Sequence, residues 1–194
     1  GDLAALPHDC VAALTILGTV AENRVCRRSG ARPGDLLCAT GSFGSSLVTG
    51  HHLAFTPRCR EGRFLAESGA VTAMIDVSDG VLLDASRLAS ASGTAIELDP
   101  SRLLPRTQET TERQKLTDGE DYELLVCLSA EQADDVLATW PFADVPLRRI
   151  GVCRKGAAGR ISDPSNATLA IPGEAGGYDH FTAHDDSDRT TSRT

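Results

Sequence analysis

Short apolar runs of strand length alternate along this chain with segments of helical character, and this alternation limits the folds open to it. The runs are rich in Val, Ile and Leu and are bounded by Gly, Pro or polar residues, which is typical of strands. We predict strands at 36–40, 71–77, 94–98, 122–128 and 147–153, and helices at 58–68, after Gly80 and at 130–140. Strands that alternate with helices favour an α/β or α+β class, with a mixed β-sheet flanked by helices.

The two ends of the chain depart from this pattern. Near the beginning, the β-branched run from Val11 to Val20 predicts a strand. A strand needs neighbours, so we expect part of its sheet to lie outside this chain. At the other end, residues 184–194 contain no apolar side chain, which predicts a disordered tail.

Composition excludes several classes of function. Hydrophobic residues make up 41% of the 194 residues, which is enough for a core, and the formal net charge is −8. An acidic chain is a poor partner for nucleic acid, because phosphate backbones are bound by clusters of Lys and Arg. No apolar run approaches the roughly 20 residues that a membrane-spanning helix needs. The six cysteines form no Cys-x-x-Cys pair, which argues against zinc and favours free thiols in a reduced, cytoplasmic protein.

The most informative motif is Met74-Ile75-Asp76-Val77-Ser78-Asp79-Gly80, where an apolar strand, which we expect to be buried, ends in two acids. One interpretation is that Ser78 or Asp79 caps the helix that follows. That leaves Asp76, which lies inside the apolar run, without a role, although a buried carboxylate needs a partner. The other interpretation is a Mg²⁺ site, because this ion prefers carboxylate oxygens.

Three further segments have a functional and a structural interpretation. The small-residue loop Gly41–Ser46, between a strand and a helix, is either an anion site at a helix N-terminus or an ordinary turn. The acidic stretch Thr117–Leu125 is either a ligand-binding turn or a solvated hairpin. The run Gly176–Phe181 places aromatic residues close to the chain end, where they contribute to a site or anchor the terminus in the core.

Taken together and in this order, these motifs resemble the thiamine-monophosphate kinase family. Members of that family carry an Ile-Asp-(Ile/Val)-Ser-Asp-Gly motif, a Gly-Gly-Glu-Asp-Tyr-Glu-Leu motif and a closing Gly-(aromatic)-Asp-His-Phe motif. The stretch Arg28–Asp35, followed by a strand and Thr40-Gly41, also matches. The resemblance covers roughly residues 1–181. It implies the fold of the aminoimidazole ribotide synthetase-like superfamily, here mainly its C-terminal domain.

The resemblance also implies an activity and an arrangement of domains. The expected reaction is ATP-dependent phosphorylation of thiamine monophosphate to thiamine diphosphate, with Mg²⁺. Phosphoryl transfer of this kind depends on positioning and charge neutralisation, and we find no candidate for a covalent nucleophile. Residues 1–22 would be a remnant of the N-terminal ATP-binding domain, 23–183 the C-terminal kinase domain and 184–194 a tail. We expect a homodimer when the N-terminal domain is present.

Residue roles follow from the same resemblance. Asp76 and Asp79 correspond to Mg²⁺ ligands, and Ser78 to a contact with ATP. Arg28 corresponds to an arginine that reaches the nucleotide phosphates. Asp2 corresponds to a ligand of ATP and the metal. Glu120 and Tyr178 correspond to two contacts with the substrate.

Two departures from the family pattern leave alternatives open. Asp118 replaces the first Gly of the Gly-Gly-Glu-Asp motif, so it adds a charge and is expected to restrict the turn. In addition, most of the N-terminal domain is not in this chain, so the chain alone is expected to bind Mg-ATP poorly. An inactive relative that binds a nucleotide or phosphate is therefore the alternative. A superfamily member with a purine-precursor, selenium or hydrogenase-maturation substrate fits the motifs less well.

Overall fold

A computed structural model describes residues 15–170, and these residues form one six-stranded sheet with helices on both faces. The order across the sheet is β2-β4-β1-β5-β3-β6. The strands are β1 (Leu36–Thr40), β2 (Val71–Asp76), β3 (Ala95–Leu98), β4 (Leu124–Leu128), β5 (Leu147–Arg154) and β6 (Ile161–Ser162). Neighbouring strands are antiparallel except β3 and β6, which are parallel. The predicted class, a mixed sheet with flanking helices, is confirmed.

Six short to medium helices connect the strands. They are α1 (Ser46–Thr49), α2 (His51–Ala54), α3 (Cys59–Ser68), α4 (Val81–Ser92), α5 (Glu112–Thr117) and α6 (Ala133–Ala138). Two 3₁₀ turns, Glu22–Arg24 and Pro100–Arg102, complete the described elements. The predicted helices at 58–68 and after Gly80 are confirmed. The helix predicted at 130–140 is present but shorter.

The alternation of side chains along the strands divides the interior into two apolar clusters. Successive residues of a strand point to opposite faces. Leu125 therefore packs with α4 on one face of the sheet, and its neighbour Val126 packs with α3 and α6 on the other. The larger cluster includes the apolar side chains on one face of α4, which are Val81, Leu82, Ala85, Leu88 and Ala89. The sheet is thus the middle layer of three, with α4 and α3 fixing its two faces.

Two strand predictions need correction. The run at 71–77 was expected to be buried, but β2 is an edge strand of the described sheet and only Ala73 in it is fully buried. The predicted strand at Val11–Val20 is not found in its described part, residues 15–20, because that segment pairs with no other described strand. Instead, Ile16 and Leu17 are exposed. Residues 11–14 lie outside the described part of the chain, and the division at residue 22 stays a prediction.

The cysteine thiols of the described chain are free, as expected. Cys38, Cys127 and Cys153 are buried in the core, and burial raises the pKa of the Cys38 thiol to about 12. A thiol in such surroundings behaves as a small apolar side chain. Among residues 15–170, no helix combines the length and apolar character needed to cross a membrane.

Candidate functional site

The junction between β2 and α4 carries the Asp76–Gly80 motif. Strand β2 ends at Asp76, and α4 begins at Val81 with Gly80 as its N-cap. Gly80 adopts a φ of +109°, and a Cβ there would lie 3.0 Å from the Thr117 carbonyl oxygen, so glycine is required for both reasons. No side chain caps α4 at this position. The interpretation of Ser78 or Asp79 as the helix cap is therefore wrong.

The amide groups of the junction are instead held by Asp84, one turn into α4. Its Oδ2 accepts hydrogen bonds from the amides of Ser78 (3.1 Å) and Asp79 (2.9 Å). Asp84 is buried, and this burial raises the pKa of its carboxyl. The carboxylate also accepts a hydrogen bond from Arg87. Asp84 thus fixes the backbone that presents Ser78 and Asp79.

The two acids proposed as metal ligands lie in different surroundings. Asp76 is exposed, and no hydrogen bond to its carboxylate comes from any residue between 15 and 170. Asp76 is therefore not a buried carboxylate that needs a protein partner, because its side chain is exposed. Asp79 is partly buried, and the Arg87 guanidinium forms an ion pair with it. Asp76 offers free oxygens, whereas Asp79 already has a cationic neighbour.

The acidic turn packs directly on this junction. The amide of Glu120 donates to the Ser78 carbonyl oxygen, and the amide of Tyr122 donates to Val77, both at 2.8 Å. A Cβ at Gly119 would lie 2.5 Å from the Ser78 oxygen, so only glycine permits this approach. Glu120 and Tyr122 both adopt positive φ, +61° and +52°, a backbone conformation that costs non-glycine residues energy. The structure therefore brings Ser78, Asp79 and Glu120 into one region.

Asp121, the next acid of the turn, points into the interior. It is fully buried and forms an ion pair with Arg106 at 2.9 Å. Its two carboxylate oxygens also accept from the Gly44 amide at 3.0 and 3.2 Å. Burial raises the pKa of Asp121 to about 6, and the Arg106 hydrogen bond opposes that rise. This burial shows that the solvated-hairpin interpretation is wrong.

Glu123 is buried as well, at the start of β4. Arg58 donates two hydrogen bonds to its carboxylate, at 2.7 and 2.6 Å, and the Thr40 hydroxyl donates a third at 2.8 Å. A Cβ at Gly41 would lie 2.0 Å from Glu123 Oε1. Gly41 is therefore needed for the space that this ion pair occupies. The acidic motif is partly structural, since Asp121 and Glu123 tie β4 to the small-residue loop.

Two backbone amides of the small-residue loop Gly41–Ser46 donate hydrogen bonds to carboxylates of this chain. Gly44 donates to Asp121, and Ser45 donates to Asp118 Oδ2 at 2.9 Å. The anion-site hypothesis is thus wrong for these two amides. Asp118 has φ −69° and ψ 136°, which any residue adopts. The expectation that Asp118 restricts the turn is also wrong, and its added charge is used to hold Ser45.

The other predicted site residues lie apart from this region or outside the described chain. Arg28 is exposed beside the middle of β2, where the preceding residue, Arg27, accepts a hydrogen bond from the Met74 amide. Its guanidinium forms no ion pair with a residue of the described range. Asp2 and Tyr178 lie outside the described residues.

The described residues would provide only part of a Mg²⁺ site. Within residues 15–170 there is no group of three or more His, Cys, Asp or Glu side chains that would hold a metal ion. Asp76 and Asp79 supply carboxylate oxygens from one junction. This donor set fits Mg²⁺, which is commonly held by one or two carboxylates together with substrate phosphates and water.

Sequence reasoning missed the residues that support the site. Asp84 and Arg87 hold Ser78 and Asp79, and Arg58 and Arg106 neutralise the buried acids of the turn. Asp84 could have been noticed, because it is an acid among the apolar residues of α4. The two arginines carried no local signal, because their partners lie 65 and 15 residues away in sequence.

Comparisons with known proteins place this geometry in a family. Residues 32–163 match the family described as AIR synthase related protein, C-terminal domain. A thiamine-monophosphate kinase from Rhodopirellula baltica is 35% identical over an alignment of 174 positions, which covers 84% of this chain and 53% of that protein. The chain therefore spans about half the length of this curated relative.

Solved structures show the same fold. A thiamine-monophosphate kinase from Stenotrophomonas maltophilia K279a superposes with a TM-score of 0.66 at 25% identity, over 77% of this chain and 56% of that one. AaThiL complexed with AMPPCP and TMP gives a TM-score of 0.62 at 24% identity, over 80% and 54%. The resemblance that the motifs predicted is confirmed. The chain belongs to the family of AIR synthase related proteins, and residues 32–163 are its C-terminal domain.

Proposed function

We propose that this chain is the C-terminal half of a thiamine-monophosphate kinase. The reaction transfers the γ-phosphoryl group of ATP to a phosphate oxygen of thiamine monophosphate and releases ADP and thiamine diphosphate. The observation that carries the proposal is the contact between two motifs, in which the Glu120 amide binds the Ser78 carbonyl oxygen beside Asp79. The curated relative of the same name and the complex of a related fold with AMPPCP and TMP support it.

The acids of the junction hold Mg²⁺ in this proposal. Asp76 and Asp79 would supply carboxylate oxygens to the ion, which would neutralise phosphate charge when bound. The Arg87 guanidinium contacts the Asp79 carboxylate and holds it at the junction. Asp84 keeps the Ser78 and Asp79 backbone in place, so the Ser78 hydroxyl is presented to ATP.

Two residues contact the substrate in this proposal. Glu120, fixed by its hydrogen bond to Ser78, contacts thiamine monophosphate, and Tyr178 stacks near its thiamine moiety. Arg28 and Asp2, which precede β1 in the sequence, contact the nucleotide. In this proposal residues 1–22 belong to the N-terminal ATP-binding domain and residues 23–183 to the kinase domain. The whole enzyme works as a cytoplasmic homodimer.

The test joins the N-terminal half of the Rhodopirellula baltica relative to this chain. The fusion should convert thiamine monophosphate to the diphosphate in a Mg²⁺-dependent manner. Asp76→Asn and Asp79→Asn should each lower kcat by orders of magnitude, because Asn keeps the shape but loses the charge that holds Mg²⁺. Asp134→Asn, an exposed acid on α6, is the matched control and should keep the parental rate.

Two outcomes would contradict parts of the proposal. An active fusion whose two Asp→Asn variants keep full rate at low Mg²⁺ would show that the metal assignment is wrong. A fusion that phosphorylates another acceptor but not thiamine monophosphate would show that the substrate assignment is wrong. For the substrate contacts, Tyr178→Ala should raise KM for thiamine monophosphate with little change in kcat. Glu120→Gln should also act on this substrate and leave ATP affinity nearly unchanged.

A second candidate is a relative that binds a nucleotide or phosphate without transferring the phosphoryl group. The ion pair between Arg87 and Asp79 favours it, because a guanidinium on a metal ligand weakens that ligand's hold on a cation. Nucleotide binding by the fusion, measured by calorimetry, with no turnover at excess Mg²⁺ would support this candidate. Turnover would remove it.

A further inference from the structure

A cavity of about 510 Å³ opens between the first turn of α4 and helix α5. Its lining combines Leu82 from α4, Leu116 from α5 and Leu169 near the end of the described chain. Leu82 and Leu116 belong to the main apolar cluster, and Leu169 packs against it. Glu112 and Arg113, which carry opposite charges, are exposed at the rim. The groove is therefore an apolar extension of the core with charges of both signs at its edge.

The chain itself runs into this groove. Its path after β6 is fixed by hydrogen bonds from the Asp163 amide to the Ala167 carbonyl (2.9 Å) and from the Leu169 amide to the Ile161 carbonyl (3.0 Å). Leu169 and Ala170, the last two described residues, both line the cavity. The described part of the chain therefore ends at the groove.

The residues that continue the chain have the composition of an occupant. The segment Ile171–Phe181 contains Ile171, Tyr178 and Phe181 together with two acids, Glu174 and Asp179. Its apolar side chains match the leucines that line the groove. Beyond it, residues 184–194 have no apolar side chain. Burial of apolar side chains from water is therefore favourable for this segment and not for residues 184–194.

We propose that the segment Ile171–Phe181 docks in the groove between α4 and α5, with Ile171 and Phe181 packed on Leu82, Leu116 and Leu169. Eleven residues span at most about 36–40 Å when fully extended, which is ample for a chain that starts at the groove and folds back over it. Covalent attachment gives the segment a local concentration in the millimolar range. It therefore occupies the groove ahead of a second copy or a separate partner.

Docking also positions the end of the chain near the candidate site. Helix α5 ends at Thr117, one residue before the acidic turn that contacts Ser78. A segment held on α5 brings Tyr178 to this side of the molecule. That consequence rests on the proposed function, whereas the docking does not.

The experiment uses the full chain and has two readouts. The first is nuclear Overhauser contacts between the Phe181 ring and the methyl groups of Leu82, Leu116 and Leu169. The second is hydrogen exchange of the α5 amides in Ile171→Ser/Phe181→Ser, which should be at least about tenfold faster than in the parent because an undocked segment no longer covers this helix. Ala175→Ser/Ala183→Ser, which alters small side chains of the same region, is the matched control and should exchange like the parent.

Three results would overturn the proposal. One is the absence of Overhauser contacts between Phe181 and the groove leucines. Another is equal α5 exchange in the Ile171→Ser/Phe181→Ser variant and the parent. The third is contacts that appear only between differently labelled molecules and grow with protein concentration, which would identify a second copy as the occupant. None of these readouts requires kinase activity, so failure of the proposed function leaves the docking test intact.

Discussion

Two acidic segments of this molecule, Asp76–Gly80 and Asp118–Glu123, touch each other and yet use their carboxylates differently. In the first, Asp76 is exposed and Asp79 is partly exposed beside Arg87. In the second, Asp121 and Glu123 are fully buried and each has an arginine partner. Burial, and not residue type, therefore separates acids available to a ligand from acids that hold the fold.

The buried acids explain why the acidic turn is placed where it is. Glu123 ties β4 to Arg58 and Thr40, and Asp121 ties the turn to Arg106 and the Gly44 amide. These contacts fix the backbone on which Glu120 is displayed. Removing one partner of such a pair leaves an uncompensated buried charge, whereas removing an exposed acid leaves only water to rearrange. Substitutions should therefore separate the two segments by their effect on stability.

The largest expected loss follows Glu123→Gln. The amide keeps the size of the side chain but places an N–H group against donors from Arg58 and Thr40. We expect the free energy of unfolding to fall by about 3–5 kcal/mol, the usual effect of breaking a buried ion pair. Urea denaturation measures it. Glu97→Gln, which breaks the exposed pair with Arg154, is the control and should cost no more than about 1 kcal/mol; equal losses in the two variants would contradict the comparison.

Gly41→Ala should have the next largest effect. The new methyl group would lie 2.0 Å from Glu123 Oε1, and the carboxylate cannot move away without leaving Arg58. Gly69→Ala has a similar positive φ (+72° against +63°) but no atom within 4 Å of the new Cβ. The control should therefore lose only the conformational cost of about 1–2 kcal/mol, and Gly41→Ala should lose clearly more. Thermal or urea unfolding of both variants tests this, and equal losses would show that the carboxylate yields easily.

The pH dependence of stability should reveal the burial of Asp121. Its pKa is raised from 3.8 to about 6, so between these values the folded chain holds the proton more tightly than the unfolded chain. This contribution to stability is fully present below about pH 4 and is lost as the pH rises through about 6. The free energy of unfolding of the parent, relative to that of Asp121→Asn, should fall by about 1–3 kcal/mol from pH 4 to pH 6.

Urea titrations at several pH values measure this difference. Asp134→Asn is the control, since this exposed acid on α6 lies away from Arg106, and its curve should run parallel to the parent. If the parent instead gains stability relative to Asp121→Asn from pH 4 to pH 6, the ion pair with Arg106 outweighs burial in setting the pKa of Asp121.

Asp118→Gly should cost little. It removes one hydrogen bond, from the Ser45 amide to Oδ2, in a part-exposed position where water can replace the acceptor. A loss of about 0.5–1.5 kcal/mol is expected. Asp118→Asn keeps an acceptor oxygen and should recover most of it. If both variants lose more than Glu123→Gln, the turn is held by Asp118 and not by the buried acids.

The smallest effect on stability should follow Asp76→Asn. Its carboxylate is exposed and accepts no hydrogen bond from residues 15–170, so the change should stay within about 0.5 kcal/mol. The same substitution is expected to lower the phosphoryl-transfer rate by orders of magnitude. A variant that unfolds easily would place Asp76 with the structural acids and remove the contrast between the two segments.

Much of the fold was accessible to sequence reasoning because it depends on short-range patterns. The strands at 36–40 and 147–153 and the helices around α3 and α4 follow from apolar runs and helical periodicity. Strand β6, only two residues long, gave no such signal. The position of β2 at the edge of the sheet was also missed. An apolar run of this kind predicts a strand, but it does not show whether one or two neighbouring strands pair with it.

The candidate site also has a part that sequence patterns predicted and a part that they did not. The motifs around Asp76 and Glu120 were recognisable as chemistry from residue type and spacing, and their resemblance to a kinase family agrees with the comparisons. The contact between Ser78 and Glu120 joins residues 42 positions apart, and no local pattern encodes it. The support from Asp84 and Arg87 became visible only when α4 was placed against the junction.

Local sequence patterns predict the elements, the class of fold and the motifs of a candidate phosphoryl-transfer site, because periodicity and turn residues act over a few positions. Which acids are exposed to solvent depends instead on tertiary packing. Asp121 and Glu123 are buried because the loop at Gly41–Gly44 and the arginines at 58 and 106 close over them. Asp76 stays exposed because β2 lies at the edge of the described sheet. Burial is a property of distant segments packed together, and the free energy of a carboxylate depends on it more than on its neighbours in the chain.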